Sequence, residues 1–252
     1  MNVCSHGNEV LGLHVIEKIK NLKIVNGSIT CNIANAQAVL HNKRFIDSDL
    51  NRSFPGKQNG NNEEQIAFYM MLYMSNFDYI IDVHSTVSGI QNCIIIEDDS
   101  KEVQKMISVC EHVKTILYMT ATKGISIFTA TRHENKIIPA IAFEYGDNSL
   151  GTIEKTYQDV VNIFSMLGVV KSIIDKKSCN TSEQFECYEI YSKNETDTLN
   201  PTVKNYELIH HGDIVGYTQD GKQIISDSDF YPVLFGESHY KTIFGFKARK
   251  KQ

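Results

Sequence analysis

Near the start of the chain, "SHGNEVLG" (5–12) sets His6 and Glu9 three residues apart between glycines. Imidazole and carboxylate are both zinc ligands. A catalytic zinc site often joins two histidines and one glutamate, with water in the fourth position. A solvated loop carries such a pair equally well, so the reading needs a third ligand and a working acid or base. Gly7 lets the backbone turn tightly while both side chains aim at one point. His84 in "IIDVHSTVSG" is the candidate third ligand. Asp82 lies two residues earlier, on the same face of a strand, where a carboxylate can orient a metal-bound imidazole. The plainer alternative is a histidine capping a buried strand. "IPAIAFEYG" (138–146) sets Glu144 after an apolar run, where a carboxylate is costly without a partner or a role. Either it is paired structurally, or its pKa is raised so that it moves protons near neutral pH.

A second stretch, "KRFIDSDLNRSFPG" (43–56), gathers two arginines, two aspartates and an asparagine around one leucine. It reads as a solvated loop closed by Pro55-Gly56, or as a set of donors that holds an anion. In the second reading Arg52 with Asn51 grips a carboxylate, and Arg44 polarises a carbonyl. Only four arginines occur, at 44, 52, 132 and 249. A chain that uses lysine for its surface can keep arginine for two-pronged recognition.

Alternating strands and helices must position these groups. Residues 11–22 and 62–76 have helical character, the latter with acidic residues in its first turn. Residues 27–35 look like a strand followed by a short helical turn. Residues 77–85 and 92–98 are apolar and β-rich, suited to strands buried on both faces. A helix at 100–113, strands in "KTILYMT" and "IIPAIAFEYG", and an amphipathic helix at 152–168 closed by Gly168 follow. Five residues precede His6 in this sequence, so either the strand before it is short or the native start lies further upstream. The pattern predicts an α/β fold with a mixed, mostly parallel sheet sandwiched by helices. Such sheets bind ligands at the carboxyl ends of their strands, where His84 and Glu144 fall. From about Cys179 the runs become short and β-like. A small all-β domain over 178–252 is expected, joined to a domain over 1–177 through the polar stretch 175–184.

The totals narrow the function classes. The chain has 252 residues and a net charge of −5, which argues against a basic nucleic-acid binder. Its apolar runs fall far short of a membrane span, and no secretory signal pattern opens it. Six cysteines without a CxxC pair read as free thiols, so a cytoplasmic protein is expected. Homo-oligomerisation is left open.

"SHGNE", "RFIDSDLNRSFPG", "DVHST" and "FEYG", in this order, resemble the aspartoacylase and succinylglutamate desuccinylase family. These are zinc enzymes related in fold to the zinc carboxypeptidases. "NAQAV", "NCIIIEDDS" and "HHGDIVGYTQDGK" bring the chain nearer the aspartoacylase branch, and the resemblance covers nearly its whole length. It implies one Zn2+ held by His6, Glu9 and His84, with Glu144 as general base and Arg44 polarising the scissile amide carbonyl. It implies Asn51 and Arg52 on the substrate α-carboxylate, and Asp49 in support. "TATRHENKIIP" matches the segment whose arginine, here Arg132, binds an aspartate side chain. "FGESHYKT" supplies Tyr240 from a β-rich domain that caps the entrance. The implied activity is zinc-dependent deacylation of a small N-acyl amino acid, first N-acetyl-L-aspartate to acetate and L-aspartate. A succinylglutamate desuccinylase-like activity, or an inactive relative that binds metal or metabolite, is the alternative.

Overall fold

The computed structural model describes residues 1–86, 92–133, 136–171, 182–237 and 240–251. β1 (Asn2–Val3) leads to α1 (Leu11–Ile19), β2 (Asn32–Ile33), α2 (Ala36–Leu40) and α3 (Asn62–Met74). β3 (Ile80–His84), β4 (Cys93–Ile96), α4 (Lys101–Ser108) and β5 (Thr115–Met119) come next. The antiparallel pair β6 (Arg132–His133) and β7 (Lys136–Ile137) precedes β8 (Ala140–Glu144) and α5 (Leu150–Met166). The rest is β: β9 (Glu183–Ser192), β10 (Thr198–Leu199), β11 (Ile214–Tyr217), β12 (Gln223–Ile225), β13 (Tyr231–Val233) and β14 (Ile243–Lys250).

Helix ends follow the local chemistry. Asn61 and Glu64 exchange side-chain-to-backbone bonds of 2.9 and 3.0 Å, a capping box that starts α3. Ser149 caps α5, and Gly168 leaves that helix at φ 73°, a conformation that favours glycine. The strand expected over 27–35 shrinks to β2. It is an edge strand with one neighbour, and its flanking "NGS" favours turns.

The main sheet runs β13-β14-β9-β5-β4-β8-β3-β1-β2. β2, β1, β3 and β8 are mutually parallel; β4 is antiparallel to β8, and β5 and β9 run parallel with β4. β14 and β13 close the far edge antiparallel. The mixed, mostly parallel sheet between helices is therefore present, and antiparallel strands dominate its C-terminal part. β9, β13 and β14 extend the main sheet, while β10–β12 form a separate three-stranded sheet. The segment 175–184, expected to join two domains, lies largely outside the described residues.

Strand alternation sorts the two faces. Ile81, Val83, Ile141 and Phe143 pack with α1, α4 and α5 in one core. Ile80, Ile95, Met119, Ala140 and Ala142 pack with α3 in another. Asp82, His84 and Glu144 share the second face, and His84 pairs in register with Glu144 across β3 and β8. Among the described residues no helix is long and apolar enough to cross a membrane. Cys4, Cys31, Cys93, Cys110 and Cys187 are free thiols.

Candidate active site

His6 and Glu9 follow β1 in a tight turn, in which the Glu9 N–H donates to the His6 carbonyl at 3.1 Å. Gly7 is needed there for closeness rather than for its φ. A Cβ on it would lie 2.1 Å from the Ala38 carbonyl carbon. The turn is thereby pressed onto α2, and both side chains face the end of β3.

The Glu9 carboxylate sits between two imidazoles. His6 Nδ1 lies 2.7 Å from Oε1, and His84 Nδ1 lies 2.7 Å from Oε2. All three residues are buried, and their ligand atoms lie within 4.8 Å of one another. Each outer ring nitrogen has a carboxylate: His6 Nε2 is 3.2 Å from Asp49, and His84 Nε2 is 2.8 Å from Asp82. Asp82 is itself held by the Asn2 amide at 2.8 Å. Burial pulls both histidines toward neutrality, yet Glu9 with Asp49, and Asp82 with Glu9, raise them. Burial likewise pushes Glu9 up, but His6 and His84 hold it well below the usual carboxylate range. Two imidazoles among buried carboxylates form a donor set and a field that fit a divalent zinc ion.

Glu144 ends β8 beside this cluster. Burial pushes its carboxyl up to about 8; His84 opposes the shift, and Glu9 and Glu237 add to it. Arg44 bridges Glu9 and Asp49, at 3.0 and 3.1 Å. Its Nε is buried without a hydrogen-bond partner among the described residues.

One cavity is lined by His6, Arg44, Asn51, Arg52, His84, Glu144 and Tyr240. Glu9 joins a recess beside it with Thr86 and Glu237. With Asp82, which also lines it, eight of the residues singled out from sequence thus share one space, and Glu9 and Asp49 adjoin it. Asn51 is already engaged: its Oδ1 accepts from the Ile127 N–H at 3.2 Å, and its Nδ2 lies 3.3 Å from His84 Nε2. Arg52 donates to the Asn51 carbonyl at 2.6 Å and lies over the Phe246 ring. Burial raises the Tyr240 phenol more than Arg52 and Arg44 lower it, so it stays protonated.

Arg132 is placed differently. Among the described residues it is not part of the cavity lining. Its Nη2 lies 3.5 Å from Glu97 Oε2 and 3.4 Å from the Glu97 carbonyl. Burial raises the Glu97 pKa; the Ser126 hydroxyl and Arg132 oppose it.

Four acids or partners escaped the sequence reading. Glu63 is fully buried and accepts from the backbone N–H groups of Ile46, Asp47 and Ser48 at 2.7, 2.9 and 3.1 Å, and from Asn35 at 2.8 Å. It pins the loop that carries Arg44, Asp49, Asn51 and Arg52. In sequence it reads as an ordinary first-turn glutamate. Thr86 donates to Glu237, joining the end of β3 to the C-terminal segment. Glu237 stands three residues before Tyr240 in the motif already noted. Glu97 was legible from alternation with Cys93 and Ile95, which aims it at the cavity face.

Similarity to known proteins agrees with this geometry. Residues 3–166 match the model of the succinylglutamate desuccinylase/aspartoacylase catalytic domain, and the chain belongs to that family. It is 24% identical to a probable aspartoacylase of Nostoc sp., over 94% of this chain and 90% of that protein. It is also 24% identical to the aspartoacylase of Xenopus tropicalis, over 94% of this chain and 86% of the other. Among solved structures, murine aminoacylase 3 superposes with a TM-score of 0.74 at 18% identity, covering 99% of this chain and 94% of its own. A succinylglutamate desuccinylase from Vibrio parahaemolyticus superposes with 0.73 at 16% identity, covering 100% and 81%. These likenesses place the fold among family members that are deacylating amidohydrolases.

Proposed function

We propose that this chain is a zinc-dependent deacylase that hydrolyses the linear amide of a small N-acyl amino acid. The observation that carries the reading is the register pairing of His84 with Glu144, on the face that also receives His6 and Arg52, with Glu9 against the His84 ring. The ion would be held by His6, Glu9 and His84. Zinc bound there polarises a carbonyl and acidifies a water.

The remaining chemistry belongs to the side chains. Arg52 binds the α-carboxylate; among the described residues no carboxylate lies within 4.0 Å of its guanidinium. Arg44 offers its unpaired Nε toward the amide oxygen as negative charge develops there. Glu144, half-buried at the end of β8 and easily protonated, takes the proton from water as the oxygen adds to the carbonyl carbon. It then delivers that proton to the amide nitrogen as the C–N bond breaks, releasing a carboxylate and a free amino acid. Tyr240 donates its hydroxyl from the C-terminal segment, which narrows the entrance. A cytoplasmic location is part of the same proposal.

N-acetyl-L-aspartate is supported by the names of the curated relatives, and N-succinyl-glutamate by the family's second activity. Both carry an acidic side chain that requires a cation, so the two differ in acyl group and side-chain length, which the substrate panel separates. The test is a panel of N-acetyl, N-formyl and N-succinyl amino acids given to zinc-loaded protein. Hydrolysis that disappears on chelation is expected. Retained zinc with no turnover of any panel member would favour an inactive relative instead.

A further inference from the structure

β1 lies between β3 and β2 in the main sheet, and Asn2 stands in register with Asp82 on one side and Asn32 on the other. Val3, next along the strand, packs into the core on the opposite face. An amide in the interior of a sheet is costly unless its hydrogen bonds are met. Asn2 is 3% exposed, and its amide is fully used. Its Nδ2 donates to Asp82 Oδ1 at 2.8 Å and to Ser5 Oγ at 3.1 Å, and its Oδ1 accepts from Asn32 Nδ2 at 2.8 Å. A carboxylate facing an amide accepts from its NH2 end, which fixes the way Asn2 points. A row of side chains thus runs across three strands, from the edge of the sheet to Asp82.

Two groups meet at His84 Nε2. Asp82 Oδ2 lies 2.8 Å from it, and Asn51 Nδ2 lies 3.3 Å from it. The carboxylate takes a proton from that nitrogen, whereas the amide offers one. Only the first arrangement leaves His84 Nδ1, 2.7 Å from Glu9, with a lone pair for a metal ion. The orientation of Asp82 therefore matters, and no arginine or lysine secures it. Among the described residues its ion-pair partner within 4.0 Å is His84 alone, whereas Asp49, which faces His6, is held by Arg44.

We propose that Asn2 is a positioning residue for the metal centre: its amide occupies one oxygen of Asp82, turns the other toward His84 Nε2, and so commits His84 Nδ1 to the ion. Asn32 steadies that amide from the edge strand. The inference rests on the reading of His6, Glu9 and His84 as metal ligands.

The test is the zinc dissociation constant of the full chain, measured by competition with a chromogenic chelator, beside the melting temperature of the metal-free protein. Asn2→Leu keeps the size of the side chain and removes its donors. It should weaken zinc binding about 10- to 100-fold. The visible absorption of the cobalt-substituted protein should change with it, because the His84 ring is no longer held at one angle. Combined with Asp82→Asn, the leucine should cost less than the sum of the two single changes, since both act on the same imidazole. Asn32→Val, at the half-buried edge strand, should weaken zinc binding by a smaller factor, and it decides the matter where the leucine variant does not fold. A lower melting temperature with unchanged zinc affinity would make Asn2 a structural amide only and overturns the proposal, as does full additivity with Asp82→Asn. Wild-type protein that takes up no zinc removes the metal reading and the proposal with it. Wild-type protein that binds zinc, beside variants that bind it equally well, removes Asn2 alone.

Discussion

Glu144 carries the chemistry in the proposed reaction, and its environment explains why a glutamate suffices. A carboxylate in water is a poor base near neutral pH, whereas burial beside Glu9 and Glu237 makes this one hold a proton up to about pH 8. A dication between His6, Glu9 and His84 would draw that value down again. The base must be ionised before it accepts a proton, so activity should fall as pH drops through its pKa. The rate profile should therefore show an acidic limb whose midpoint lies below 8 in the zinc-loaded enzyme. Glu144→Gln should keep fold and metal while lowering kcat about 10²- to 10⁴-fold. Near-normal turnover in that variant would assign the base elsewhere. The ligand set makes a separate claim: elemental analysis should find one zinc per chain, strongly reduced in His84→Ala. Two equivalents, or zinc indifferent to that substitution, would remove His84 from the site.

At the scale of elements, the active-site loop is held from its underside by one residue of α3. Glu63 accepts three consecutive backbone N–H groups, of Ile46, Asp47 and Ser48, and so shapes the segment bearing Arg44 and Arg52. Glu63→Ala should cost about 1–3 kcal/mol for each amide left buried without an acceptor. It should lower the melting temperature and raise KM together, because the loop loses its shape. Although burial pushes Glu63 up, the bonds from Ile46, Asn35, Asp47 and Ser48 bring it below its ordinary value. A depressed carboxyl stabilises the fold fully above its unfolded pKa, about 4.3. That contribution fades as pH falls through the lower folded value. The gap in melting temperature between wild type and Glu63→Gln should therefore be constant from pH 5 to 7 and narrow below about pH 4. A gap that stays constant into acid would mean that the carboxylate's charge is not what holds the loop.

Across the whole molecule, the β-rich C-terminal part both reaches the site and completes the sheet. Tyr240 and Glu237 come from it, and Phe246 of β14 lines the cavity. β9 pairs along the full length of β5, from Thr115 to Met119, all buried. The division into units of 1–177 and 178–252 is kept as a proposal about how the chain is organised. A truncation ending at residue 171 would leave β5 as a bare apolar edge, which invites association. That fragment should be recovered as aggregate, without a cooperative melt. A soluble, cooperatively melting fragment would instead show that the first unit folds alone.

Much of this was legible in the residues themselves, because the governing periods are local. Helical stripes and buried apolar runs announced the α/β fold, and the end positions of His84 and Glu144 followed from their strands. The HxxE pair and the Asp82–His84 spacing carried the cluster of His6, Glu9 and His84, since two residues along a strand share a face whatever surrounds them. Partner choice among charged groups was not legible, because it depends on which side chains meet across distant segments. Sequence could not tell that Arg132 faces Glu97, that Asn51 is engaged by Ile127, or that Glu63 holds the loop beneath Arg44. Nor could it tell that β9, β13 and β14 would extend the main sheet rather than fold apart. An edge strand pairs with whichever neighbour buries it, and only the tertiary structure supplied β5 as that neighbour.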